Sequence, residues 1–408
     1  VDSAMKERVA ILGSTGSIGV NTLSVVREHP DRFRAEVLTA NRDSETMLTQ
    51  CREFRPRRVV MVDGSEALRL RTMLADDGLD VEVITGIEAL DEVVKDVDTV
   101  VCAIVGAAGL PSTLSAVRAG ARVLIANKEP LVMLGGMIMQ LARRHQATIL
   151  PLDSEHNAIF QCLPAGMQSA LGDEIQSVRH GIRRLILTGS GGPFRQRDPS
   201  TFPLVTVEQA CAHPNWRMGP KISVDSATMM NKGLELIEAC ALFSMGESSV
   251  DIVIHPQSVV HSIVEYIDGS MLAQMANPDM RVPIANALSW PERINSGAEP
   301  LDLLAASHFD FEAPDSQRFP ALDLAREAAR TGGTAPALLN AANEIAVAAF
   351  LAREIGFHQI TDLVAATMDK LPVEGTLSLE SIMQADSLAR ETCQHLVASS
   401  PAQAGGKN

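Results

Sequence analysis

Short runs of Val, Ile, Leu and Ala recur along the first third of the chain, with helix-like stretches between them. Arg8–Leu12, Ala35–Thr39, Val59–Val62, Thr99–Val105 and Ala121–Ala126 read as strands, and Asn21–Glu28 as the first helix. Continuous apolar runs of this kind suit strands buried on both faces of a parallel sheet. The alternation predicts a Rossmann-like, doubly wound parallel α/β domain over residues 1–152, closing near Ala147–Leu152.

From Asp153 the pattern changes. Turn-rich loops, Gly189–Pro193 and His213–Met218, are mixed with strands at Arg184–Thr188 and Val259–Ile267. This predicts a central α+β domain over 153–300 with antiparallel pairing. Residues 301–320 read as a linker with several Asp, Ser and Pro. Beyond it, Ala321–Arg330, Ala335–Arg353 and Ile360–Met368 have helical periodicity and predict a C-terminal helical bundle over 321–408, frayed from Ser399 onward.

Composition narrows the function classes. Across 408 residues, 35 Lys and Arg stand against 50 Asp and Glu, a net charge of −15, whereas general nucleic-acid binding needs a basic face. The longest apolar stretch, Thr99–Leu110, is too short to span a membrane. Val1–Ala4 precede a lone Lys6 and Arg8 without an apolar core, so no secretory leader is expected. The 6 cysteines lie far apart with no C-x-x-C pair, which suits buried thiols in a reducing cytoplasm.

Gly13, Gly16 and Gly19, between a strand and a helix, put backbone amides where a pyrophosphate can sit, and Ser14, Thr15 and Ser17 add hydroxyls. A tight turn without a ligand is the competing reading. Arg42, in Ala40-Asn-Arg-Asp43 after the second strand, suits the 2′-phosphate of NADP, or is a solvated surface arginine. Lys128 follows the strand that ends at Ala126, where a parallel sheet opens its crevice, and either holds a charged substrate or begins a helix.

The carboxylates lie in two segments. In an extended Pro151–His156, Asp153 and Glu155 point to the same side and suit one hard cation; a helix cap is the alternative. In Asp225–Glu235, helical spacing makes Asn231 and Lys232 neighbours of Glu235, and Ser226, Asn231 and Lys232 would make an anion cradle. Three carboxylates without a soft ligand point to Mg²⁺ or Mn²⁺ rather than zinc. Gly189–Pro193 brings backbone close to a phosphate or is a plain turn; Trp216 is a core wedge or a lid.

Together, Gly13–Gly19, Ala126–Val132, Leu152–Asn157, Leu187–Arg195, His213–Glu235, Asn277–Ile284 and Asn340–Glu344 closely resemble the 1-deoxy-D-xylulose 5-phosphate reductoisomerase family over nearly the whole chain. The resemblance implies metal ligation by Asp153, Glu155 and Glu235, with Mg²⁺, Mn²⁺ or Co²⁺ as the ion. It implies a phosphate and sugar site of Ser190, Ser226, Asn231 and Lys232, with Ser154, Lys128 and His213 also touching 1-deoxy-D-xylulose 5-phosphate and Trp216 in a lid over it. It implies NADPH contacts from Thr15, Gly16, Ser17, Ile18, Asn127, Glu129 and Gly219, and from Asn41, Arg42 and Asp43. At those last three the family often has a small residue followed by Lys-Asn, so the charge is kept at Arg42. A cytoplasmic homodimer is also implied, its catalytic and dimerisation functions carried by residues 153–300. The rival readings are an NADP-linked semialdehyde or sugar dehydrogenase, which would need no metal, and a non-catalytic NADP-sensing regulator.

Overall fold

Val9 to Leu12 are all buried, as a strand covered on both faces must be. They form β1 (Glu7–Leu12), the central strand in a computed structural model that describes residues 6–172, 180–213, 216, 219–375 and 378–400. Its contacts divide into two units. The first holds the described residues within Val1–Pro130, Met137–Phe160 and Asp279–Pro300; the second holds those within Leu131–Gly136, Gln161–Pro278 and Leu301–Asn408.

In the first unit, β1 is joined by β2 (Phe33–Ala40), β3 (Arg58–Met61), β4 (Glu82–Thr85), β5 (Thr99–Cys102), β6 (Arg122–Ile125) and β7 (Thr148–Pro151). The 7-stranded sheet has the order β4-β3-β2-β1-β5-β6-β7 and every pairing is parallel. The helices between strands are α1 (Ser17–Glu28), α2 (Ser44–Phe54), α3 (Gly64–Asp76), α4 (Ala89–Val93), α5 (Leu110–Arg118) and α6 (Glu129–His145); α7 (Ser154–Cys162) follows β7. This is the expected doubly wound sheet. β4 escaped the pattern because its four residues are only half-buried or exposed, so no apolar run marks it. The strand before Lys128 is consequently the sixth, and the run from Thr99 leaves the sheet after Cys102.

The strand order reverses between β1 and β5, which opens a crevice at the C-terminal ends of those strands. The glycine turn lies there. A side chain on Gly19 would run into the Ser14 backbone, which neither partner could avoid without moving the turn. Residues 279–300 return to this unit through the helix Arg281–Ser289: the His29 ring meets Asn295 O at 2.6 Å and Arg32 pairs with Glu292 at 2.9 Å.

The second unit holds β8 (Ile182–Gly189), β9 (Val250–Ile254), β10 (Val260–Tyr266) and β11 (Met271–Met275), in the order β11-β10-β8-β9. β10 runs antiparallel to β8 and β11, but β8 and β9 are parallel, so the expected antiparallel pairing holds for only part of the sheet. That parallel pair is made possible by a long crossover containing α8 (Pro220–Ala227) and α9 (Met230–Phe243). Within 301–320 a helical turn, Leu303–Ala306, and a bridge from Glu312 to Ile254 give the linker-like segment local order.

The C-terminal residues form α10 (Ala321–Thr331), α11 (Ala335–Leu351), α12 (Gln359–Lys370) and α13 (Leu379–Ser399). α13 is one helix more than the periodicity indicated, since only Ile382, Asp386, Ala389 and Cys393 of its 21 residues are buried. It runs to Ser399, and residues 401–408 lie outside the described ones. No described helix is long and apolar enough to cross a membrane.

Gly19→Ala is expected to lower the thermal midpoint by about 5 °C or more, the scale of about 2 kcal/mol of overpacking. Differential scanning calorimetry showing an unchanged midpoint would contradict the tight approach of α1 to the turn.

Candidate active site

At the switch point, Gly16 is the N-cap residue of α1 and no side chain caps that end. The opening amides of the helix therefore have no intrahelical acceptor and suit an anion. Gly16 and Ser17 are exposed, and Thr15 and Ile18 are half-buried. Ser14 differs from the expectation: it is fully buried and its hydroxyl donates to Gln50 Oε1 at 2.7 Å, so it does not offer that group to a ligand.

At the end of β2, the Arg42 side chain is exposed and its Nε lies 3.2 Å from Asp63 Oδ2. Asp43 is occupied as the N-cap of α2, accepting from the Thr46 N–H at 3.0 Å. Asn41 is exposed and its carbonyl accepts from the Asp63 N–H at 3.0 Å. After β6, Asn127 is 7% exposed, yet neither end of its amide has a hydrogen-bond partner among the described residues. An orphaned buried amide beside a sheet crevice is what a polar cofactor would satisfy. Glu129, buried, opens α6.

Lys128, just before α6, turns its ammonium to Asp153, with Nζ 3.0 Å from Oδ2 and both side chains almost wholly buried. Asp153 immediately precedes α7, whose first backbone bond runs from the Asn157 N–H to Asp153 O at 2.8 Å. Pro151–His156 is therefore not extended through Glu155: the helix begins at Ser154, and Asp153 stands just before it, two residues past the end of β7. Carboxylate oxygens of Asp153 and Glu155 still lie within 4.8 Å of each other. Ser154 donates to Glu155. His156, fully buried, places Nδ1 3.6 Å from Asp153 Oδ1.

Asn157 holds this corner in place. Its amide donates to Pro151 O at 3.0 Å and to Asn286 Oδ1 at 3.2 Å. Neither Asn157 nor His156 was marked by the sequence as more than part of a motif. The available signal was a polar pair inside an otherwise apolar helix face.

In the second unit, Asn231, Lys232 and Glu235 occupy one face of α9, as their spacing requires. Asn231 Nδ2 and Lys232 Nζ each donate to a different oxygen of Glu235, which is 1% exposed. A carboxylate so far from water needs that compensation. α9 starts from Met229, a buried residue in the left-handed region at φ 64°. Holding a methionine there costs about 1 kcal/mol and bends the chain sharply between Ser226 and Asn231.

The turn after β8 meets these groups. Gly192, at φ 69°, approaches the end of α8 so closely that a Cβ would stand 2.5 Å from Ser226 O. A Cβ on Gly189 would stand 2.8 Å from Lys232 Cε. Ser190, Ser226, Asn231 and Lys232 are thus drawn together within this unit. Ser190 Oγ accepts from the Gly192 N–H at 3.2 Å and lies 3.0 Å from His213 Nε2. Because His213 Nδ1 accepts from the Trp216 N–H at 3.0 Å, the neutral ring must carry its proton on Nε2 and donate to Ser190. Trp216 is half-buried with its ring 6.1 Å from that of His261. Gly219 is the N-cap of α8. Of the expected lid, 213–218, the residues Pro214, Asn215, Arg217 and Met218 lie outside the described ones.

Asp225 carries no local signal in the sequence. It is 1% exposed, pairs with Lys221 at 3.0 Å and accepts from Asn343 of α11 at 2.8 Å, anchoring α8 beside the cradle. Cys51, Cys102 and Cys240 are poor nucleophiles, because burial pushes their thiols up to about 12.

A doubly wound parallel sheet with an uncapped helix N-terminus at its switch point and a buried, unpartnered amide after β6 defines the class of α/β dinucleotide-dependent oxidoreductases. Family models described as 1-deoxy-D-xylulose 5-phosphate reductoisomerase match residues 9–135, and its C-terminal domains match 149–243 and 275–392. The chain is 55% identical over 394 residues to 1-deoxy-D-xylulose 5-phosphate reductoisomerase of Cellvibrio japonicus, covering 96% of this chain and 98% of that one. It is 54% identical to the same enzyme of Pseudomonas putida, covering 96% of each. Among solved structures, a DOX-P reductoisomerase in complex with NADPH, fosmidomycin and magnesium aligns with a TM-score of 0.92 at 48% identity, covering 96% of this chain and 98% of the other. The enzyme from Zymomonas mobilis in complex with NADPH aligns with a TM-score of 0.88 at 46% identity, covering 97% and 100%. The chain belongs to the 1-deoxy-D-xylulose 5-phosphate reductoisomerase family.

The hydrogen-bond assignment at His213 is open to direct measurement. Nitrogen-15 correlation spectra of the apo protein above neutral pH are expected to show the Nε2-protonated tautomer; an Nδ1-protonated pattern would break the link to Ser190.

Proposed function

We propose that this protein converts 1-deoxy-D-xylulose 5-phosphate to 2-C-methyl-D-erythritol 4-phosphate by an NADPH- and divalent-metal-dependent rearrangement and reduction, a step of non-mevalonate isoprenoid biosynthesis. The observation that carries the site assignment is the face of α9, where a buried carboxylate, an ammonium and an amide of the family's motif meet. Family membership supports the reaction.

In this reading Asp153, Glu155 and Glu235 supply the oxygens for one hard cation, Mg²⁺, Mn²⁺ or Co²⁺, and the donor set fits, being all carboxylate. Bound there, the ion is the Lewis acid that polarises the substrate ketone, and NADPH supplies the hydride. Lys232, with Ser190, Ser226 and Asn231, would hold the substrate phosphate. Lys128 and Ser154 orient the sugar at the carboxylates. His213 donates to Ser190, leaving that hydroxyl's own proton directed to the phosphate. Trp216 covers the substrate and excludes water, so that phosphate binding supports closure. The α1 amides of Ser17 and Ile18, with Thr15 and Gly16, receive the diphosphate of NADPH. Arg42, with Asn41 and Asp43, would meet its 2′-phosphate, and Asn127, Glu129 and Gly219 would complete the cofactor contacts.

We also infer a homodimer in the cytoplasm. Among the described residues no strand pairs with the outer edge of β11, and Ile267, Met271 and Leu272 are at least half exposed around it. Such an open apolar edge suits pairing with a second copy. The buried thiols of Cys51, Cys102 and Cys393 suit a reducing compartment. Residues 153–300 would then carry both the catalytic and the dimerisation functions.

NADPH oxidation with 1-deoxy-D-xylulose 5-phosphate is expected only when Mg²⁺ or Mn²⁺ is present; turnover in excess chelator would end the metal reading. Glu235→Gln is expected to cut turnover by about a hundredfold or more, with NADPH affinity within about twofold of wild type. Light scattering after size-exclusion chromatography tests the assembly: wild type should elute as a dimer and Leu272→Glu as a monomer, and a monomeric wild type would refute the edge assignment.

A further inference from the structure

A turn that binds a diphosphate gains affinity when its amides are already aimed before the ligand arrives, because ordering a loop on binding subtracts from affinity. In the turn after β1 the aiming is done by side chains. The Ser14 N–H donates to Thr39 O at 2.8 Å, its hydroxyl donates to Gln50 Oε1 at 2.7 Å, and its carbonyl accepts from Gln50 Nε2 at 2.8 Å. The Gly13 N–H donates to the Thr39 hydroxyl at 2.9 Å. Ser14 is 0%, Thr39 2% and Gln50 6% exposed, so water does not compete for these bonds.

Gln50 belongs to α2, separated from the turn it grips by α1 and β2. Both ends of its amide are engaged by one residue, and the two bonds together fix that residue's rotation. With Ser14 facing inward, the chain leaves the grip through Thr15 and Gly16 and presents the start of α1 outward. An apolar side chain of the same length would fill the space and leave the Ser14 carbonyl without its donor.

We propose that Gln50, assisted by Thr39, is a positioning residue for the dinucleotide: it holds the Gly13–Gly16 turn in the form that receives the diphosphate. The inference rests on the reading of this turn as the NADPH site. Because the diphosphate is common to NADPH and NADH, Gln50 must act on both cofactors equally, whereas Arg42 acts on the 2′-phosphate of NADPH alone.

Binding titrations of NADPH and NADH with the full chain, without substrate, test it. Gln50→Leu is expected to raise both dissociation constants about tenfold, equivalent to about 1.4 kcal/mol. In the assay the Michaelis constant for NADPH should rise likewise, with kcat and the Michaelis constant for the sugar phosphate within about twofold of wild type. Arg42→Ala should weaken NADPH but not NADH. Wild-type affinity for both cofactors in folded Gln50→Leu overturns the proposal, as does a loss confined to NADPH. Should that variant fail to fold, Thr39→Val removes only the hydroxyl that holds Gly13. A roughly threefold weakening of both cofactors supports the proposal, and unchanged affinity overturns it. Wild-type protein that binds neither dinucleotide overturns the cofactor reading itself, a result distinct from any variant's.

Discussion

Charge held out of water is the constraint on which the rest depends. Asp153 and Glu235 are carboxylates almost wholly removed from solvent, and each has an ammonium from its own unit against it, Lys128 and Lys232. An isolated charge in either place would be driven to neutrality by desolvation. Each pair offsets the desolvation of both its members. Removing either partner would leave an uncompensated charge in a dry place, which costs more than the pair itself contributes.

Backbone placement makes those pairs possible. β6 and β7 are neighbours in the parallel sheet, so the residues just beyond their ends, Lys128 and Asp153, emerge side by side. Asn157 then locks the corner by binding the strand end behind it and the helix Arg281–Ser289. In the second unit, the left-handed Met229 turns the chain between α8 and α9, and Asp225 with Asn343 holds α8 in register with the bundle. Polar side chains with few alternatives position the charged ones, as a preorganised site requires.

Much of this was legible beforehand. The glycine turn, the parallel strands and the single face shared by Asn231, Lys232 and Glu235 follow from periodicity, because helices and double-sided strands print their geometry on local spacing. β4 and α13 were missed because each buries too little apolar surface to stand out from a loop. The extended reading of Asp153–Glu155 failed for a related reason: two carboxylates one residue apart fit a strand face and a helix start equally well, and local sequence does not choose between them.

What the chain determines by itself is chemical and periodic: which donors exist, which lie on one face of a helix, and that a turn of small residues separates a strand from a helix. What the tertiary structure decided is which polar groups lose their water and which distant residue replaces it. Ser14 was read as a ligand hydroxyl, but folding brings Gln50 of α2 against it and turns it inward. Asp225 carried no signal until Asn343, more than a hundred residues away, became its partner. Burial depends on contacts between segments far apart in sequence, and spacing along the chain carries no record of them.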